Sequence, residues 1–208
     1  MQIEIDNNTY DIEVIKKSNK NTYVRVKDGK IIVTTNYLTS NKSIIKLIND
    51  NKKSIIDMIN KDEKKQDKNN NFYYFGKKYD IVYGFDEIEF SKDKIYVKDK
   101  KSLDKYINND IIKIYSERIN YWYNIFEENI PIPNLKIRKM TSRWGVCNIK
   151  NHNVTLNYML YKYDIRCLDY VIVHELSHFI YPNHSKDFWL LVEKYYPLYK
   201  ECRKMLKE

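Results

Sequence analysis

The chain has 208 residues, 43% hydrophobic and 31% charged, which excludes a disordered or fibrous protein and leaves room for one large domain or two small ones. No apolar run reaches the length of a membrane span and the first residues lack the pattern of a secretion signal, so a soluble, cytoplasmic protein is expected. The net charge of +9 comes mainly from lysine, 31 of the 37 basic residues, scattered through a sequence rich in Asn, Ile and Tyr; nucleic acid is admitted as a partner but not specifically indicated.

Short β-branched and aromatic runs at 10–15, 23–26 and 31–34 predict strands, with Asp28-Gly29 as the turn between the last two. Ile44, Ile45, Ile48, Ile55, Ile56 and Ile59 keep helical spacing and predict a helix over 41–61, capped by Ser40 or Thr39. Residues 61–70 are charged and of low complexity, which predicts an exposed loop. Strands resume at 72–75, 78–83, 87–90 and 95–98, and no internal repeat is evident.

Near residue 100 the pattern changes. Ile107, Ile111, Tyr115, Ile119, Trp122 and Phe126 form one stripe of a helix over 103–128, ended by Pro131 and Pro133. Strands at 136–140 and 153–157 flank a loop at 141–147, and helices follow before Pro182, over 185–195 and over 198–206. The expected class is α+β, divided into a β-rich region with one helix at 1–100 and a second domain at 101–208 that carries the chemistry. The cysteines, Cys147, Cys167 and Cys202, are odd in number and lack metal-type spacing, which suits reduced thiols in the core.

The chemistry is explicit in His174-Glu175-Leu176-Ser177-His178. Two histidines four apart on a helix project from one face, with Cβ atoms roughly 5–6 Å apart. Both rings then reach one ion at about 2.0–2.1 Å, the usual zinc–nitrogen distance. Glu175 stands about 100° further round, too far aside to be a third ligand but able to act as general base on a water at the metal. Leu168, Val171, Ile172, Leu176 and Phe179 give the segment an apolar face, Asp164 is a plausible N-cap and Pro182 a stop. A catalytic zinc usually takes three protein ligands, and His184 is the nearest candidate for the third; Glu193 and Glu201 are the alternatives. The H-E-x-x-H-x5-H spacing matches metzincins, but Tyr181 stands where they carry glycine and no methionine turn follows.

Four stretches together resemble the YgjP-like metal-dependent hydrolases, a zinc-peptidase-type family similar to SprT-like domains: Ser142 to Cys147, Val154 to Asn157, Asp169 to His178, and Asn183-His184-Ser185 with Phe188-Trp189. The resemblance is close from about residue 103 onward. It implies a minimal zincin-like domain, a small sheet packed on the H-E-x-x-H helix, and a histidine of the N-H-S-x-x-F segment as third ligand, which is His184. A zinc metallopeptidase is therefore the leading expectation, with one zinc ion on His174, His178 and His184 and Glu175 as base. An exposed edge strand at 154–157 would hold an extended peptide. Arg143, Trp144, Asn157 and Tyr158 are the candidate substrate-binding or oxyanion-stabilising residues. Two rival readings keep the metal: a pyrophosphatase acting on a nucleotide such as UTP, and a SprT-like protease or structural-zinc module recruited to nucleic acid.

Overall fold

The computed structural model describes residues 1–207, and the side chains of all of these except 65 and 68–70. Residue 208, the last of the predicted second domain, lies outside them. The chain divides into two compact units, Met1–Asn70 and Asn71–Lys207. Both are mixed α and β, as the sequence predicts.

In the first unit, β1 (Gln2–Ile5) and β2 (Asn8–Lys16) are antiparallel. Asp6 and Asn7 join them with φ of 48° and 64°, the left-handed pair a two-residue hairpin turn requires. Asp28 and Gly29 do the same, at 52° and 73°, between β3 (Tyr23–Lys27) and β4 (Lys30–Thr35). β4 returns parallel to β2, with Ile31 opposite Ile12, so the strand order is β1-β2-β4-β3. Ile12, Ile31 and Val33 then pack against Ile44 and Ile48 of α1 (Asn41–Asp50) and Ile55 and Ile59 of α2 (Lys52–Asn70). Two expectations are corrected here. The single helix over 41–61 is two, because Asn51 caps α1. The predicted loop at 61–70 is the end of α2: Lys, Glu and Gln are good helix formers, and Gln66 donates to Asp62 one turn earlier, at 2.8 Å.

The second unit begins with β5 (Phe72–Tyr74), β6 (Lys77–Tyr83), β7 (Glu89–Phe90) and β8 (Lys94–Val97), in the order β5-β6-β8-β7. The pairings are again antiparallel, parallel and antiparallel, and a helix again follows. Tyr10-Asp11-Ile12 in β2 has its counterpart in Tyr79-Asp80-Ile81 of β6, with Ile81 opposite Ile95 as Ile12 is opposite Ile31. The chain therefore contains a repeat of topology, contrary to the reading of the sequence, where a shared triplet among unequal strands is too little to show it. Ile95 and Val97 of β8 share a core with Leu103 and Ile107 of α3 (Lys100–Ile125), so the units part at Asn70 and Asn71 and not where the sequence pattern changes near 100.

β9 (Asn134–Arg138), β10 (Gly145–Asn148) and β11 (Asn153–Asn157) form the sheet that positions the site, in the order β10-β11-β9. Beneath it runs α4 (Ile165–Ser177), followed by α5 (Lys186–Tyr195) and α6 (Tyr199–Met205). Asp164 caps α4 by accepting from the Arg166 N–H at 2.9 Å. Leu168 and Ile172 are wholly buried, and Asp169 takes three donors from α3: Arg118 Nε at 2.6 Å, Arg118 Nη2 at 2.5 Å and Trp122 Nε1 at 3.0 Å. A buried carboxylate paired with a guanidinium and an indole N–H fixes how α4 is rotated against α3, and so which face it turns to the sheet. Among the described residues no helix is long and apolar enough to cross a membrane.

Candidate metal centre

α4 ends just where its histidines emerge. His174 is in its last turn and His178 is its C-cap residue. The chain turns back through Pro182 and Asn183, and His184 precedes Ser185, which caps α5 by accepting from the Phe188 N–H at 3.3 Å. This cap sets Phe188 beneath all three imidazoles, its ring centroid 4.9, 4.7 and 4.8 Å from those of His174, His178 and His184. Phe188 is fully buried, so the histidines rest on a fixed apolar floor. The spacing N-H-S-x-x-F thus has a physical reason: the serine starts the helix that brings the phenylalanine under the three imidazoles.

The potential ligand atoms of the three histidines lie within 4.8 Å of one another. Nε2 of His174 and Nε2 of His184 face each other at 3.0 Å. His178 Nδ1 lies 3.1 Å from the Tyr181 carbonyl, which makes Nδ1 the protonated nitrogen and leaves the Nε2 lone pair free. His174 Nδ1 is buried with no hydrogen-bond partner, and the polar contact of this ring is the one its Nε2 makes with His184 Nε2. Burial, with the charges of His178, His184 and Arg203 adding to it, pushes His174 down to about 3 and lowers His178 as well. Neutral imidazoles with converging lone pairs fit a divalent ion of zinc type. Glu193 instead faces Lys200 at 3.5 Å, and neither it nor Glu201 belongs to the cluster.

Glu175 is 5% exposed and lies against β10. Its burial raises the carboxyl to about 8, opposed by the Cys147 N–H that points at it and by the charge of Arg143. The approach is close enough to need glycine: a Cβ on Gly145 would stand 2.4 Å from Glu175 Oε1 and 2.6 Å from its Cγ. Strand register explains why β10 meets the carboxylate with its backbone. The Asn157 N–H bonds to the Trp144 carbonyl, so alternation turns the polar groups of Gly145 and Cys147 away from β11 and into the cleft.

These shifts give the metal-free protein a defined pH response. A carboxyl raised on folding contributes stability that is full below its unfolded value of 4.5 and lost as pH climbs towards about 8. A histidine lowered on folding acts at the other end, its contribution lost as pH falls from 6.5 towards about 3. Of these two effects, the Glu175 one is the one that extends between pH 6.5 and 8. Melting temperature measured with a chelator should therefore fall over that window in wild type and stay level in Glu175→Gln; parallel profiles would contradict the assignment.

The weaker candidates separate. Arg143 and Trp144 line the cleft, the latter also donating through Nε1 to the Leu206 carbonyl at 3.0 Å. Asn157 and Tyr158 do not line it. The Asn157 amide is consumed by the loop before β10, donating to the carbonyls of Met140 and Arg143 at 2.8 Å each and accepting from the Met140 and Met159 N–H groups. Tyr158 donates to Asn108 Oδ1 at 2.7 Å. β11, expected to be an exposed edge, is the central strand; the edges are β9 and β10, and β10, the one that lines the cleft, begins within what the sequence suggests is a loop.

The sequence model of a family described as "YgjP-like, metallopeptidase domain" matches residues 20–208. Two solved structures are similar over about half the chain. The metallopeptidase zymogen abylysin of Pyrococcus abyssi is 24% identical, with a TM-score of 0.34, covering 48% of this chain and 92% of its own. The metallopeptidase zymogen jannalysin of Methanocaldococcus jannaschii is also 24% identical, with a TM-score of 0.34, covering 47% and 91% respectively. No curated protein matches.

Proposed function

This chain belongs to the YgjP-like metallopeptidase family, and on that premise we propose that it is a zinc-dependent hydrolase of peptide bonds, built around a minimal zincin-like pairing of sheet and helix. His174, His178 and His184 are the ligands and Glu175 is the general base. The observation that carries this reading is the convergence of three imidazoles beside Glu175, a buried carboxylate of the helix that also bears His174. Zinc bound there supplies a Lewis acid that polarises the scissile carbonyl and acidifies the attacking water.

The chain's own residues do the rest. Glu175, shielded from solvent and oriented by the Cys147 N–H, accepts the proton of the attacking water and delivers it to the leaving amine. The Tyr181 carbonyl holds the His178 ring in one tautomer. An extended substrate laid along β10 finds the outward polar groups of Gly145 and the Cys147 carbonyl to pair with, the role expected of 154–157 transferred to the edge strand at the cleft. Arg143, which lines the cleft and whose charge acts on Glu175, is the candidate to support the oxyanion.

Cations along the cleft favour the nucleotide reading in one respect, but among the described residues no carboxylate besides Glu175 lines it to hold magnesium with the phosphates. The test is hydrolysis of an unfolded polypeptide by zinc-loaded protein, arrested by a chelator and restored by zinc. Failure to cleave any peptide, with release of pyrophosphate from UTP instead, would replace this reading by the alternative.

A further inference from the structure

The histidines and Glu175 occupy only part of the cavity that contains them, which measures about 560 Å³. It also takes in Tyr170 and Val171 of α4 and Arg203 of α6, with Leu206 and Lys207 just beyond that helix. Tyr170 is one helical turn before His174, their rings 5.8 Å apart, and its hydroxyl makes no hydrogen bond among the described residues. Arg203 lies over the ring of Trp189, its Cζ 4.7 Å from the centroid. Trp189 in turn stacks on His184 at 22° and on Tyr199 at 21°. The guanidinium is thus held by one face on a rigid aromatic stack beside the metal ligands, which leaves its N–H edges available.

The charges at this end are unbalanced. Arg143, Arg203 and Lys207 all line the cavity; among the described residues Glu175 is the one carboxylate that lines it, and none of the three cations forms an ion pair. Some basic residues elsewhere do find partners: Arg118 pairs with Asp169, Arg166 with Asp164, and Lys194 with Glu127 and Glu128. Compositional bias explains scattered lysines but not this arginine pair, since arginine supplies only 6 of the 37 basic residues and two of them meet here.

We infer that the end of the cleft between α4 and α6 is a specificity pocket for a carboxylate of the substrate, received by Arg203. The carboxylate comes from an acidic side chain near the scissile bond or from the C-terminus of a short peptide. The inference rests on the peptidase reading above and names its preferred substrate class.

The test uses zinc-loaded Glu175→Gln protein and calorimetry, with peptides paired as Glu against Gln at each position and as free against amidated C-terminus. The carboxylate member of one pair should bind about tenfold tighter, as a charge-assisted hydrogen bond allows, and the pair showing the effect identifies the source. Adding Arg203→Met should abolish the difference, Arg203→Lys should keep part of it, and Arg203→Glu should turn the preference towards a Lys peptide. Equal affinities within each pair, absence of binding by all, or a preference that survives Arg203→Met would overturn the pocket. Wild-type turnover separates the two claims. Cleavage of acidic and neutral peptides with equal efficiency removes the pocket and leaves the peptidase; Arg203-dependent binding without cleavage removes the peptidase and leaves the pocket.

Discussion

Glu175→Gln should hold zinc at wild-type stoichiometry and lose turnover by roughly 10³-fold, within the range seen when a general base is removed. Glutamine keeps the size of glutamate and an acceptor for the Cys147 N–H, so the contact with β10 survives while the proton acceptor is lost. Because Glu175 stands apart from the histidine cluster, metal affinity should move little. Calorimetric zinc titration and single-turnover kinetics on one preparation separate the two effects. Turnover within tenfold of wild type would place the base elsewhere; loss of zinc would mean that the carboxylate is itself a ligand.

Gly145→Ala should be nearly as damaging although it removes no functional group. Gly145 does not have a positive φ, so alanine fits its backbone, and the effect is steric. The added methyl would meet Oε1 at 2.4 Å, Cγ at 2.6 Å and Cδ at 2.7 Å of one buried side chain on a helix pinned by Asp169. Either the carboxylate swings away or β10 lifts, and both displace the base from the substrate edge. A misplacement of about 1 Å costs on the order of 10²-fold in rate, with about 1–3 kcal/mol of stability lost to overpacking. The variant should keep its zinc, and a kcat equal to wild type would show that the close approach has no catalytic role.

Much of the site is legible in the sequence because it is local. A helix, a pair of histidines one turn apart and a third just past Pro182 are set by spacing alone. What could not be read is what tertiary contact decides. β10 escapes the strand pattern because Gly145-Val146-Cys147-Asn148 is short and does not alternate, and its status as the edge depends on strand order. Asn157 looks like a substrate ligand until the four hydrogen bonds that occupy it are seen. Arg203 gives no signal beyond an exposed helix residue; its significance is the stack on Trp189. The helical end of α2 shows the opposite case, where a charged run reads as loop by composition yet is built from good helix formers.

The measurement closest to the central claim is zinc X-ray absorption, with zinc titration, on wild type and on His184→Ala. Three imidazole nitrogens at about 2.0–2.1 Å are expected in wild type, falling to two in the variant with affinity weaker by at least about a hundredfold. A wild-type chain that takes up no divalent ion, or a variant with unchanged affinity and coordination, would contradict a metal held by His174, His178 and His184.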